Sequence, residues 1–261
     1  MISIITPVYN GIKHIDFCIN NVIAQDCSNM EHLIIDGGSD DGTIDIIKKY
    51  ADQNAHLRWI SEKDEGQPDA MNKGISMARG GIICFLNVDD YFELGAVNRA
   101  AHMFKDLPDP SFLVGNCNVW SEDGKLLYVN KPRRLRIVDL LMGWEVNPHP
   151  VNPSAYFYSK SLLEVIGPFD KEDRVAHDLD FILRAVQSAN VIYVNEIFGN
   201  YRFYPGTITY EDQKRGLAGD RAKYIRGKYK KQLSFIQKIN FIISKIYYYF
   251  CNLNLKKIMW G

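Results

Sequence analysis

ISIITPVYNG, residues 2–11, begins with a strand-forming, mostly apolar run and closes on a Tyr-Asn-Gly turn. A run without polar alternation is what a strand covered on both faces requires. Three further runs of this kind follow: HLIID at 32–36, LRWIS at 57–61 and GIICFLN at 81–87, each ending in polar or Gly-rich residues. Between them lie helical patterns. Residues 12–25 place Ile12, Ile15, Ile19, Val22 and Ile23 on one face, while Gly42 to Tyr50 and Asp69 to Ala78 supply two more. This alternation predicts an α/β fold with a mostly parallel sheet flanked by helices, whose ligands bind beyond the carboxyl ends of the strands. Thr6 to Gly11, Asp36 to Thr43 and Asn87 to Asp90 all fall there, so three loops converge on one edge.

Farther along, Phe112 to Asn130 reads as strands around an Asp-Gly turn at Asp123 and Gly124. A basic stretch follows at Arg133 to Arg136, and helical periodicity returns at Asp178 to Ser188. The chain has no internal repeat and no low-complexity segment.

With 261 residues, 46% of them hydrophobic and 24% charged, the chain can bury a substantial core and falls outside the disordered and fibrous classes. Its five cysteines are scattered and have no metal-ligand spacing, so neither a disulfide framework nor a zinc site is indicated. A reducing, cytoplasmic setting is expected, because the N-terminus starts directly in a strand and lacks the features of a secretory signal. The formal charge is zero but unevenly spread. Residues 214–261 carry twelve Lys or Arg against one acid, Asp220, leaving the rest of the chain acidic.

That basic segment contains LSFIQKINFIISKIYYYFCNL at 233–253, which Lys238 and Lys245 interrupt before it reaches the length needed to span a bilayer. Aromatic residues among lysines fit a helix lying in the lipid interface, drawn to an anionic surface. The competing reading is a helix that packs on the core or joins two copies into a homo-oligomer. Nucleic acid is not expected as a partner, since no recognition motif accompanies the charge.

Two neighbouring carboxylates, Asp89 and Asp90, end the fourth apolar run, and hard oxygen ligands of this kind suit Mn²⁺ or Mg²⁺ beside a diphosphate. The bland reading is a helix cap or turn. DGGSDDGT at 36–43 has glycines that let a backbone approach a ligand and, in Asp36, an acceptor for a base or ribose. It has neither the lysine of a phosphate loop nor the Gly-x-Gly-x-x-Gly of a dinucleotide fold.

TPVYNG at 6–11, DGGSDDGT at 36–43, DEGQPDAMNKG at 64–74 and LNVDD at 86–90 together resemble the successive motifs of glycosyltransferase family 2. The similarity continues more loosely through GPFD at 167–170, AHDLDFILR at 176–184 and YRFYPGTIT at 201–209. The resemblance implies a GT-A fold, a nucleotide-sugar donor and inversion at the anomeric carbon. It implies that Thr6, Pro7, Tyr9, Asn10, Asp36 and Gly38 hold the nucleotide, that Asp69, Asn72 and Lys73 line the donor pocket with Asn87 and Asp89, and that Asp89 and Asp90 hold the metal. Asn87 stands where the family's Asp-x-Asp signature has its first acid, and Tyr204 where a His is common.

Attack by a sugar hydroxyl needs a base, because the neutral hydroxyl is a poor nucleophile. Asp178 matches the Asp of the family's Glu-Asp pair, with His177 in place of Glu. The structural alternative is an N-cap or a first-turn acid favoured by the helix dipole. Asp180 and Arg184 are four residues apart in the same helix, as a structural ion pair would be. His149 sits in a Pro-rich loop near the expected acceptor cleft.

The sequence thus predicts a transferase domain over 1–212, with a nucleotide-sugar half at 1–110 and an acceptor half at 111–212, followed by a basic helical tail at 213–261. The expected donor is a UDP-sugar and the expected acceptor a glycan or polyprenyl-linked glycan at the inner face of the plasma membrane, as in surface-polysaccharide synthesis. The alternatives are a nucleotidyltransferase acting on sugar phosphates and an inactive nucleotide-sugar-binding protein.

Overall fold

The computed structural model describes residues 1–144, 146–171 and 176–260, with side chains of the last helix described as far as Tyr249. The first half runs β1 (Ile2–Val8), α1 (Ile15–Ile23), β2 (Met30–Asp36), α2 (Thr43–Ala51), β3 (Leu57–Ser61), α3 (Gln67–Met77) and β4 (Ile82–Phe85). The second half runs β5 (Tyr91–Phe92), α4 (Ala96–Met103), β6 (Ser111–Trp120), β7 (Leu126–Asn130), α5 (Ile137–Leu140), β8 (Tyr156–Ser159), α6 (Ser161–Ile166), α7 (His177–Ser188) and β9 (Asn190–Arg202). A 3-10 turn at Pro153–Ala155 precedes β8, and three helices close the chain: α8 (Ile208–Lys214), α9 (Leu217–Gln232) and α10 (Phe235–Trp260).

The nine strands of the described residues join one sheet in the order β3-β2-β1-β4-β8-β6-β9-β5, with β7 paired to β6. The first four strands are mutually parallel, as the strand-helix alternation demands. Beyond β4 the sheet becomes mixed, since β8 runs antiparallel to both β4 and β6, while β6 and β9 are parallel.

Strand periodicity assigns the core to two faces. Ile5, Leu33, Ile35, Phe85, Phe112, Tyr156 and Tyr158 point to the side covered by α3, α5, α6 and α7. Their neighbours Ile4, Cys84, Leu113 and Phe157 point to the side covered by α1 and α4. Helix α3 lies close on β1 because Gly74 has no side chain; a Cβ there would collide with Ile5. The cysteines Cys18, Cys27, Cys84 and Cys117 are buried free thiols.

The change of composition after residue 213 does not mark a break in packing. Ile225, Tyr229 and Leu233 of the α9 region are buried in the larger core cluster, and Tyr229 donates to Asp180 at 2.7 Å. Exposed apolar residues are concentrated on α10, where Phe235, Ile239, Ile242, Ile246 and Tyr249 face outward. No helix among the described residues is long and apolar enough to cross a membrane.

Candidate active site

The loops after β1 and β2 are tied together by four hydrogen bonds. Asn10 N donates to Ser39 Oγ at 2.8 Å, Gly11 N to Thr43 Oγ1 at 2.9 Å, Ile12 N to Asp41 Oδ2 at 3.0 Å, and Asp40 N to Asn10 Oδ1 at 3.0 Å. Asn10 has a left-handed backbone, φ 52°, a conformation Asn tolerates better than most residues. Tyr9 beside it is 66% exposed, a free aromatic face at the end of β1.

Several residues of these motifs point inward, contrary to expectation. Thr6 and Pro7 are buried within β1, and Thr6 Oγ1 is hydrogen-bonded to His32 Nε2 at 2.9 Å. Asp36 is buried too: its Oδ2 accepts from Gly38 N and Ser39 N at 2.9 Å and from Ser61 Oγ at 2.6 Å. The Thr6 and Asp36 side chains therefore build the loops, leaving Tyr9, Asn10 and Gly38 at the surface. Strand burial sends them inward, and motif membership could not reveal that.

The turn after β3 and the first turns of α3 carry an ion cluster. Asp69 Oδ1 meets Lys171 Nζ at 2.5 Å, and its Oδ2 lies 3.5 Å from Lys73 Nζ, which also meets Glu62 at 2.9 Å. The Lys171 ammonium holds the Asp69 carboxyl below its ordinary range. Asn72, expected in the donor pocket, instead spends both ends of its amide on Phe169, accepting from Phe169 N and donating to Phe169 O, each at 2.9 Å. It clamps the 167–170 segment to α3.

After β4 the two neighbouring acids do different jobs. Asp90 is completely buried, and its carboxylate accepts from Asn87 Nδ2 at 3.0 Å, Asn152 Nδ2 at 2.7 Å and Arg202 N at 3.0 Å. Burial, and then the neighbouring Asp89 charge, push its carboxyl well up, against those three donors. Shared metal binding by Asp90 does not fit this environment. Its carboxylate instead joins three segments: the Asn87 turn, the 3-10 turn and the end of β9. Gly199 makes the junction possible, because a Cβ there would collide with Ser154.

Asp89 is partly exposed, and its Oδ2 accepts from Tyr204 Oη at 3.1 Å. Tyr204 Oη also lies 3.2 Å from His14 Nε2, which is left as the donor in that contact. Burial lowers the His14 pKa and raises that of Tyr204. Among the described residues no three His, Cys, Asp or Glu side chains cluster as a metal cage. One accessible carboxylate still fits a cation that takes most of its ligands from phosphate oxygens and water.

Asp178 lies in the first turn of α7, whose N-cap is Ala176, so the N-cap reading does not hold. The helix start is fixed by packed aromatics: the Phe181 ring stacks 4.9 Å from Phe169 and lies tilted 4.8 Å from Tyr158, and Phe169 meets His177 edge-on at 6.0 Å. His177 is buried, 3.7 Å from Asp178 Oδ1, whereas the Asp178 side chain is 38% exposed. Tyr156 Oη donates to Asp178 Oδ1 at 3.5 Å. Asp178 opens into a cleft of about 750 Å³ also lined by Tyr128, Trp144, His149, Tyr201, Phe203 and Arg226. The expected pair forms in the same helix, with Arg184 Nε donating to Asp180 at 2.8 Å.

The end of β9 links cleft and acid pair. Tyr201 and Phe203 line the cleft, while the alternate residues bond the acids, Arg202 through its backbone to Asp90 and Tyr204 through its hydroxyl to Asp89. Segment 152–156 does the same, with Asn152 on Asp90 and Tyr156 on Asp178. His14 and Asn152 were not expected from the sequence. They reach their partners only through the fold, across 190 and 62 residues.

A mixed α/β sheet with three loops at one edge and an acid-lined cleft defines the class, and the sequence comparisons agree with it. Residues 3–164 match the model of the family "Glycosyl transferase family 2", and the chain belongs to that family. It is 28% identical over 211 residues to a PGL/p-HBAD biosynthesis glycosyltransferase of Mycobacterium tuberculosis, covering 79% of this chain and 78% of that one. It is 26% identical over 247 residues to the uncharacterized glycosyltransferase EpsJ of Bacillus subtilis, covering 90% of this chain and 69% of that one. Among solved structures, S. aureus TarS 1-349 in complex with UDP-GlcNAc superposes with a TM-score of 0.64 at 20% identity, covering 79% of this chain and 59% of that one. The mannosyltransferase PcManGT from Pyrobaculum calidifontis, in complex with GDP-Man and Mn²⁺, also gives 0.64, at 17% identity and covering 95% and 69%. The fold is accordingly of the GT-A type.

Proposed function

We propose that this glycosyltransferase moves a sugar from a nucleoside diphosphate, most simply UDP, to a hydroxyl of a glycan or lipid-linked acceptor, inverting the anomeric centre, with Asp178 as the base. The observation that carries this reading is the exposed Asp178 carboxylate in a cleft that shares β9 and segment 152–156 with the Asp89 loop. Tyr9, Asn10 and Gly38 offer the nucleotide an accessible surface, beside which Lys63 lies with its carbonyl accepting from Lys73 Nζ at 3.0 Å, and Lys73 in turn pairs with Asp69. Asp89, oriented by Tyr204, would hold Mn²⁺ or Mg²⁺, which would neutralise charge on the departing diphosphate. Asp178 removes the acceptor proton as the hydroxyl attacks, so a single displacement suffices and no covalent sugar-enzyme link is needed. Tyr156 and the packed α7 start keep that carboxylate in place.

Incubating the protein with UDP-sugars, Mn²⁺ and candidate acceptors tests this reading. Release of UDP coupled to glycoside formation is expected, whereas release of pyrophosphate from a nucleoside triphosphate and a sugar phosphate would overturn it in favour of a nucleotidyltransferase. Nucleotide-sugar binding with no turnover on any acceptor would instead indicate an inactive binding protein.

The outward face of α10 supports a membrane-borne acceptor. Its outward residues Phe235, Ile239, Ile242, Ile246 and Tyr249 recur at helical spacing, with Lys238 and Lys245 exposed among them. We infer that this face rests on an anionic membrane surface, the inner face of the plasma membrane, and brings the enzyme to lipid-linked acceptors. Flotation with phosphatidylglycerol vesicles should be lost when residues 235–261 are removed; a dimer that dissociates on the same truncation would assign the face to a second copy instead.

A further inference from the structure

Among the described residues, Arg226 is a buried cation without a counter-ion. The residue is 8% exposed, its Nε has no hydrogen-bond partner among them, and the polar contact it makes there is Nη2 with His149 Nδ1 at 3.5 Å. His149 cannot compensate the charge: burial, and then the Arg226 charge, push its pKa down to about 3, leaving the ring neutral. No carboxylate among the described residues pairs with Arg226. Asp212, on the same cleft wall, is engaged by Arg221 at 3.2 Å. Burial correspondingly lowers the Arg226 pKa, with no acid among the described residues raising it. Isolated buried charges are strongly disfavoured, and Arg stays charged throughout the ordinary pH range. A guanidinium left in this condition at the wall of a cleft is suited to an anion that arrives with a ligand.

We propose that Arg226 receives an anionic oxygen group of the acceptor, a phosphate or a carboxylate, so that the acceptor of this enzyme is a charged glycan or glycan phosphate. The inference rests on the reading of the Asp178 cleft as the acceptor site. The two residues line one cavity of about 750 Å³, a volume that suits a small saccharide, and Tyr128 and Trp144 provide aromatic surface for sugar rings. Arg226 thereby acts as a specificity-determining residue. The fork of its guanidinium matches the paired oxygens of either anion, which a lysine would meet only as a point charge.

Titration calorimetry on the full chain saturated with UDP tests this, using glucose 6-phosphate, glucuronate and glucose as probes that differ in the charged group, and farnesyl diphosphate for a lipid-borne phosphate. At least one anionic probe should bind about tenfold or more tightly than glucose, and Arg226→Gln should remove that preference. Arg221→Gln, whose parent side chain already has its acid, should keep it. The probe with the largest ratio identifies the source of the anion. Arg226→Met should melt no lower than the parent, because it removes an uncompensated charge. Equal binding of charged and neutral probes, a preference that survives Arg226→Gln, or a lowered melting temperature in Arg226→Met overturns the proposal. Absence of UDP binding in the same titrations would count against the transferase reading itself, whereas UDP binding without an anion preference counts against Arg226 alone.

Discussion

Tyr204 donates its hydroxyl to Asp89 at 3.1 Å while its other neighbour, His14, stands 3.2 Å away. The phenol thus orients the one accessible acid of the LNVDD turn. Tyr204→Phe keeps the ring and removes the donor, a loss of about 1 kcal/mol in the net worth of a hydrogen bond. The Mn²⁺ concentration for half-maximal transfer should rise by about fivefold. A metal titration with an unchanged midpoint would show that Asp89 does not depend on this contact.

Asp178→Asn preserves shape and removes the proposed base. Transfer should fall by about 10²- to 10⁴-fold, the usual worth of general-base catalysis, with UDP affinity held within about twofold. Parallel kinetics and calorimetry distinguish the outcomes. Equal losses in both would assign Asp178 to donor binding.

The two adjacent acids should separate cleanly. Asp90→Ala strands the amides of Asn87 and Asn152 and the Arg202 N–H in a buried site, so unfolding stability should drop by about 2–4 kcal/mol. Asp89→Ala, at a partly exposed position, should cost less than about 1 kcal/mol of stability yet abolish metal-stimulated turnover. Chemical denaturation alongside activity measurements checks both; a stable Asp90→Ala protein would contradict the structural role.

Acid should destabilise the fold through its buried histidines. Burial pushes the pKa of His32 down to about 3, against 6.5 for a free side chain. Below pH 6.5 the unfolded chain takes up a proton that the folded chain refuses, so stability is lost as pH falls from 6.5 toward 3. The slope is at most roughly 1.4 kcal/mol per pH unit for each such group. Melting curves between pH 7.5 and 5 should show the decline, and His32→Gln, which retains a partner for Thr6, should flatten it. An identical pH dependence in the variant would remove His32 from the explanation.

The parallel half of the fold was legible in the sequence because buried strands and amphipathic helices leave periodic traces. ISIITPV, HLIID and LRWIS became β1, β2 and β3 with little change in boundaries. The site was legible as loops more than as side chains. Thr6 and Asp36 occupy motif positions but turn inward, since a residue next to a strand end can serve the ligand or the loop, and composition does not decide which. His14 and Asn152 left no local signal: one reads as part of a helix start and the other as part of a Pro-rich loop. The basic tail concealed a division at about residue 233, because Ile225 and Tyr229 are spaced by four and disappear into a run of charges that reads as solvated.

The alternation at the end of β9 has a mechanical consequence. Tyr201 and Phe203 line the Asp178 cleft while Arg202 and Tyr204 bond Asp90 and Asp89. A slip of one position would turn the Tyr204 side chain to the cleft side and take its hydroxyl off Asp89. A rigid shift of this short ribbon would instead carry the cleft wall and the acid contacts together and preserve their spacing, so that length changes here should be tolerated far less than substitutions.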